Sequence, residues 1–259
     1  MKGKFIFLTF AILIQTTLSF SQSSSPFFIS EKRDIPISIM SGIVFGLGTY
    51  SDLRHKKHWM TEAEFESLNR LKVCGDTCAL LSESVLADRV SDGLLFGSIL
   101  MALEIGLLAL PSITHDETAR GTNAVMILQT FAINQGVTDL FKNYLLHPRP
   151  FSYYRSQYPT YSDMMAQSNF GDANRSFFSG HTSTTAAFSF LTADMLSSQS
   201  SRQSDKILIW SAGILVPAVT GYLRVKAKKH FPVDVVAGYV TGAAIGFGVA
   251  EFHKKSILH

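Results

Sequence analysis

The chain has 259 residues, 46% of them hydrophobic and 17% charged, with a formal net charge of +3. That length fits one domain plus a leader, and the charged fraction falls below the roughly 25% usual in soluble domains, so a membrane-associated protein is favoured over a soluble one. Basic residues are scattered rather than massed, which leaves nucleic-acid binding without support.

The N-terminus reads as an export signal. Lys2 and Lys4 form a basic start, Phe5 to Ile14 an apolar run, and Ser19-Phe20-Ser21 a small-residue site with cleavage before Gln22. An uncleaved anchor helix is the competing reading. Residues 22–35 are polar, Ser-rich and linker-like, and Ile37 to Tyr50 is apolar but short of the ~20 residues a spanning helix needs. It is taken as interfacial or packed on the bundle. Thr61-Glu62-Ala63-Glu64 has the form of a capping box opening an amphipathic helix, and residues 61–90 are soluble in character. Cys74 and Cys78 could close a small disulfide loop if exported, or be two unconnected thiols. No second Cys pair or zinc-type His pair accompanies them, so no metal site is expected.

From residue 93 the chain becomes a series of apolar helices. Leu94–Leu110 is interrupted only by Glu104. Ala124–Leu146 is flanked or interrupted by Asn123, Gln129, Asn134, Gln135, Asp139 and Lys142, which suit a helix lining a site. Thr182–Leu196, Ile207–Tyr222 with Pro217, and Val235–Phe252 complete the series. In the last, Gly238, Gly242, Gly246 and Gly248 offer small residues through which helices approach closely. No strand-like alternation is sustained. The expected fold is all-α, a membrane-associated bundle of about five to six core helices. Its parts are a signal peptide (1–21), an N-terminal linker with a short apolar segment and a polar amphipathic region (22–92), and the bundle core (93–259).

Three stretches carry chemistry. Lys142 and Arg149 lie seven apart at a helix end closed by Pro148 and Pro150, two cations able to hold an anion. Ser179-Gly180-His181 opens a helix, where free backbone N–H groups receive phosphate oxygens. Arg224 offers a bidentate fork, and His230 and Asp234 stand four apart, so that a carboxylate on one ring nitrogen would make the other a nucleophile. Taken singly, each has an ordinary alternative: an interfacial anchor, a capped turn, a basic surface loop.

Together, in the order Lys-x6-Arg-Pro, Ser-Gly-His, Arg-x5-His-x3-Asp, they resemble the type 2 phosphatidic acid phosphatase superfamily, which includes bacterial acid phosphatases and vanadium haloperoxidases. The resemblance covers residues 120–250. Phe178 stands where the family usually has Pro, and Leu223 where it usually has Ser. The resemblance implies that Lys142, Arg149 and Arg224 hold phosphate, with the backbone at Ser179 and Gly180. It makes His230 the nucleophile that becomes a phosphohistidine, Asp234 its support, and His181 the acid for the leaving oxygen. No cofactor or metal is implied.

The apolar bundle points to a lipid phosphate or diphosphate substrate at a membrane surface, such as polyprenyl diphosphate, phosphatidylglycerol phosphate, phosphatidic acid or a phosphorylated lipid A. The expected setting is a bacterial-type cell membrane with the site facing the periplasm, because Lys254 and Lys255 suit a cytoplasmic tail. The alternatives are a soluble-type periplasmic acid phosphatase and a vanadium-dependent haloperoxidase on the same scaffold.

Overall fold

The apolar runs of the second half all fold as long helices. The computed structural model describes residues 25–55, 60–68, 84–153, 160–166 and 172–254. The export segment and the Cys74–Cys78 loop lie outside the described residues. The helices are α1 (Glu31–His55), α2 (Glu62–Ser67), α3 (Val85–Glu104), α4 (Leu110–Thr114), α5 (Glu117–Tyr144), α6 (Tyr161–Met165), α7 (Gly180–Gln199), α8 (Gln203–Lys226) and α9 (Pro232–His253). A π turn, Ile105–Ala109, joins α3 to α4. Pro111 has no N–H for the carbonyl four residues back, that of Leu107, and Arg120 Nε donates to it instead at 3.0 Å. The chain is an all-α bundle, and no strand occurs among the described residues.

Helix α7 is the axis. Most of its side chains are buried, including the run Thr182 to Phe188, and α3, α5, α8 and α9 pack around it. Around this partly polar centre the outer helices turn apolar side chains outward: Ile35, Ile39, Ile43 and Leu47 on α1, Leu208, Leu215 and Val219 on α8, and Val236 and Val240 on α9 are all exposed. A polar centre inside an apolar surface is the arrangement lipid favours. Among the described residues, three helical stretches, Val85–Thr114, Gln203–Lys226 and Pro232–His253, are long and apolar enough to cross a membrane.

The glycine row of α9 makes the closest contact in the bundle. A Cβ on Gly238 would stand 2.5 Å from the Ser179 carbonyl oxygen, on Gly242 2.0 Å from that of Ser183, and on Gly246 2.0 Å from that of Ala187. Only hydrogen fits at these three places, so α9 lies backbone to backbone on α7. Gly248 faces open space and takes no part. A second such crossing joins α1 to α5, where Gly48 and Gly136 meet.

The segment read as short and apolar is the middle of α1, a helix of 25 residues that at 1.5 Å per residue runs roughly 37 Å. Pro36 sits inside α1 without ending it. The start of the chain's described part is tied to the end of α9: Phe28 N donates to the His253 carbonyl at 3.0 Å, and buried Asp34 lies 3.0 Å from His253 Nε2. At its other end α1 reaches the motif-bearing face, where Asn143 Nδ2 donates to Ser51 Oγ at 2.8 Å and Arg175 binds Asp52 at 2.6 Å. Residues 25–30 therefore lie at the end opposite the motifs, not on the same side as residues 84–92. The long helices then alternate strictly, and Lys254 shares the far end with residues 25–30. The boundary placed at residue 93 falls inside α3, which begins at Val85.

Two substitutions separate the glycines. Gly242→Ala should cost about 1–3 kcal/mol, because a backbone carbonyl cannot step aside. Gly248→Ala should be neutral or stabilising by up to about 1 kcal/mol through helix propensity. Thermal unfolding of both variants in detergent micelles checks the opposite signs.

Candidate active site

Motif one ends α5. Lys142 lies in the last turn, and the chain then runs out beside residues 173–176: His147 N donates to the Asn174 carbonyl at 3.0 Å, Arg149 N to that of Ala173 at 2.8 Å, and Ser176 N to that of His147 at 2.8 Å. This ladder fixes Arg149, 3% exposed, under the start of α7. Motif two is that start. Ser179 caps α7, its hydroxyl accepting from Thr182 N at 3.4 Å, and Ser179 N donates to the Asp234 carbonyl at 3.0 Å. Gly180 leaves room for Lys142: a Cβ there would be 3.1 Å from the Lys142 amine. At the departure from the family pattern, Phe178 is buried against Phe141, ring centroids 5.4 Å apart.

Motif three closes α8 and opens α9. Arg224 is in the last turn of α8. Lys228 takes a left-handed conformation, φ 54°, and reverses the chain. Pro232 occupies the first turn of α9, and Asp234, reaching back, accepts from Phe231 N at 2.9 Å. Between them His230 is 1% exposed. The structure thus brings Lys142, Arg149, Ser179, Gly180, His181, Arg224, His230 and Asp234 to one end of the bundle.

The support of His230 differs from the simplest expectation. Its Nδ1 donates to the Ser176 carbonyl at 2.8 Å, while Asp234 Oδ2 lies 3.8 Å away, beyond a hydrogen bond. Asp234 instead accepts from the Ser176 hydroxyl at 2.5 Å. The tautomer is fixed all the same, by a backbone oxygen. Nε2 keeps its lone pair and lies 3.3 Å from Arg149 Nη1, inside the cluster of cations. Asp234 braces the carbonyl-bearing residue and supplies negative charge at short range. Burial, then Arg149 and Arg224, hold the His230 ring well below its usual pKa, so it is neutral at pH 7.

Carboxylates from outside the three motifs meet the cations. Arg149 forks onto Asp172, Nη2 to the carboxylate and Nε to the backbone carbonyl, the latter at 2.9 Å. Burial alone would raise the Asp172 carboxyl, and Arg149 and Lys142 outweigh it and hold the group below the ordinary carboxylate range. Arg224 Nη1 donates to Asp88 at 2.6 Å and to Ser91 Oγ at 3.1 Å. His181 Nε2 is 2.7 Å from Asp92 Oδ1. The Arg224 Nε is buried without a hydrogen-bond partner, a donor available to an anion. Sequence reasoning missed Asp88, Asp92, Asp172 and Ser176. The one visible sign was the pair Asp88 and Asp92, four apart ahead of an apolar helix.

Three polar residues of α5 do something other than line the site, while Gln135 donates to Asp139 within the helix. Asn123 donates to the Gly106 carbonyl at 2.8 Å, Gln129 to Ser38 at 2.9 Å, and Asn134 to Thr184 at 3.0 Å. They join helices, and of that set Lys142 is the one at the cradle.

The PAP2 superfamily model matches residues 123–258. The chain belongs to this superfamily, whose members are built on a phosphatase or haloperoxidase scaffold. No curated protein and no solved structure matches the chain.

The histidine geometry is directly testable. In protein labelled with ¹⁵N-histidine, His230 should show one neutral Nδ1–H tautomer from pH 7.5 down to pH 6. Titration with a midpoint near the ordinary value of about 6.5 would contradict the burial and charge described.

Proposed function

We propose that the chain is a phosphatase that hydrolyses a lipid phosphate or diphosphate, independently of metal, through a phosphohistidine on His230. The observation that carries this reading is the placement of His230 Nε2. Its lone pair, set by the Ser176 carbonyl on the far nitrogen, accepts from the Arg149 guanidinium at 3.3 Å, and Arg224 and Lys142 also act on the ring. A neutral nucleophile beside fixed positive charge is what attack on an anionic phosphorus needs.

Lys142, Arg149 and Arg224 take the phosphate oxygens, together with the backbone N–H groups at the start of α7. Nε2 attacks phosphorus, the bond to the leaving oxygen breaks, and His181 gives that oxygen its proton. The phosphorylated ring is cationic, and Asp234 at 3.8 Å together with the Ser176 carbonyl stabilises it. Water then attacks phosphorus, His181 takes the water's proton, and the P–N bond breaks to restore neutral His230. The cations supply the neutralisation that a metal would otherwise provide.

The lipid substrate is supported by the apolar belt around the bundle and by the position of the site at the ends of helices able to cross a membrane. A periplasm-facing site and export of residues 25–30 do not combine if α1 crosses with its neighbours, because those residues lie at the opposite end. With Lys254 on the cytoplasmic side, residues 25–30 lie there too.

Phosphate release from a panel of lipid phosphates and diphosphates in mixed micelles tests the proposal. The wild-type protein should turn over at least one of them at full rate in EDTA, and His230→Ala should fall by on the order of 10³-fold or more. Activity restricted to soluble phosphoesters would remove the lipid, and activity abolished by EDTA would remove the metal-free mechanism.

A further inference from the structure

The leaving-group acid has a partner outside the family motifs. His181 lies in the first turn of α7, and the first two turns of α3 cross in front of it. Asp88 and Asp92, one helical turn apart, face the site from α3. They divide the work. Asp88 takes Arg224 at 2.6 Å and the Lys229 amine at 3.6 Å. Asp92 takes His181, with Arg224 a further contact at 3.7 Å.

We propose that Asp92 is the positioning residue of the leaving-group acid, holding His181 by Nε2 at 2.7 Å so that Nδ1 is the nitrogen that exchanges the proton. This rests on the phosphatase reading and adds to it.

The chemistry requires such a group. To protonate a leaving oxygen, His181 must carry two protons before the bond breaks. Its surroundings oppose that: the ring is largely buried, and Arg224, Lys142 and Arg149 all act on it as cations. Against them stand the bound phosphate, Asp88 at longer range and Asp92 in direct contact. With the Asp92 carboxylate accepting from Nε2–H, the ring orientation is fixed. Loss of the Nδ1 proton to the leaving oxygen then leaves a neutral ring still hydrogen-bonded to Asp92. The same ring, with its Nδ1 lone pair, can take a proton from water in the second step. The Asp92 side chain is 47% exposed, so this end of the pair is in contact with solvent protons.

A merely structural ion pair between α3 and α7 would make one different prediction, and leaving-group dependence reveals it. A nitrophenolate leaves without a proton, whereas an alkoxide needs one. Values of kcat/KM are compared for 4-nitrophenyl phosphate and for a short-chain phosphatidic acid, in wild type, Asp92→Asn and Asp92→Glu. The alkyl substrate should lose about 10²-fold in Asp92→Asn, at the lower end of general-acid effects, and the aryl substrate less than about 3-fold. Asp92→Glu should recover part of the alkyl rate. The basic limb of the alkyl pH profile should move to lower pH in Asp92→Asn, because the imidazolium has lost its carboxylate. The preserved aryl rate reports a folded site in the same variant. Equal losses on both substrates, or none on either, would overturn the role of Asp92 while leaving the phosphatase intact. A wild-type protein that cleaves neither substrate would overturn the phosphatase reading itself, and this inference with it.

Discussion

Backbone lies on backbone where α9 crosses α7, and the site depends on that contact. Gly238, Gly242 and Gly246 present hydrogen to the carbonyls of Ser179, Ser183 and Ala187, at places where a methyl group would stand 2.0–2.5 Å from oxygen. Close approach maximises dispersion and lets glycine Cα–H groups meet carbonyl oxygens. The first of these contacts is at the cap of α7 itself. It sets Asp234 and Ser179 within one hydrogen bond of each other, and thereby lays His230 over the Ser176 carbonyl. A pair of helices held apart by larger side chains would carry the same motifs and would not assemble them.

Charge is the second constraint. Gathering Lys142, Arg149 and Arg224 around two histidines in a largely buried site is unfavourable without anions. Asp172 answers Arg149, and Asp88 answers Arg224. These carboxylates belong to a loop and to the start of α3, not to the elements that hold the cations. The N-terminal half of α3 is therefore part of the site's electrostatics and not simply an entry to a membrane helix. The half-exposed carboxylates stand where solvent and substrate reach them, while the buried donor at Arg224 Nε remains for an incoming anion.

What could be read from the sequence was what side chains and spacing encode. The three motifs, the helix ends they sit on and the small-residue row of α9 were all visible there, because each is a local pattern with a mechanical reason. Gly248, two residues past Gly246, is off the four-residue row and faces open space. The partners were not legible. The carbonyl of Ser176 is a backbone atom, and any residue would supply it. Asp88 and Asp92 occur in a stretch whose composition reads as soluble, and their role exists only because α3 folds across the ends of α7 and α8. The polar residues of α5 looked like a site lining since composition does not distinguish a group facing a ligand from one facing a neighbouring helix. The extent of α1 was hidden by polar residues at its start and by Pro36, although helix packing at Gly48 and Gly136 holds it against α5.

The central claim is covalent attack by His230. Rapid quenching of the wild-type protein with ³²P-labelled substrate tests it most directly. A phosphoenzyme that is labile to acid, stable to base, absent from His230→Ala and mapped to the peptide containing His230 is the predicted result. Rapid turnover with no such species on the millisecond scale, or label recovered on any other residue, would contradict the account.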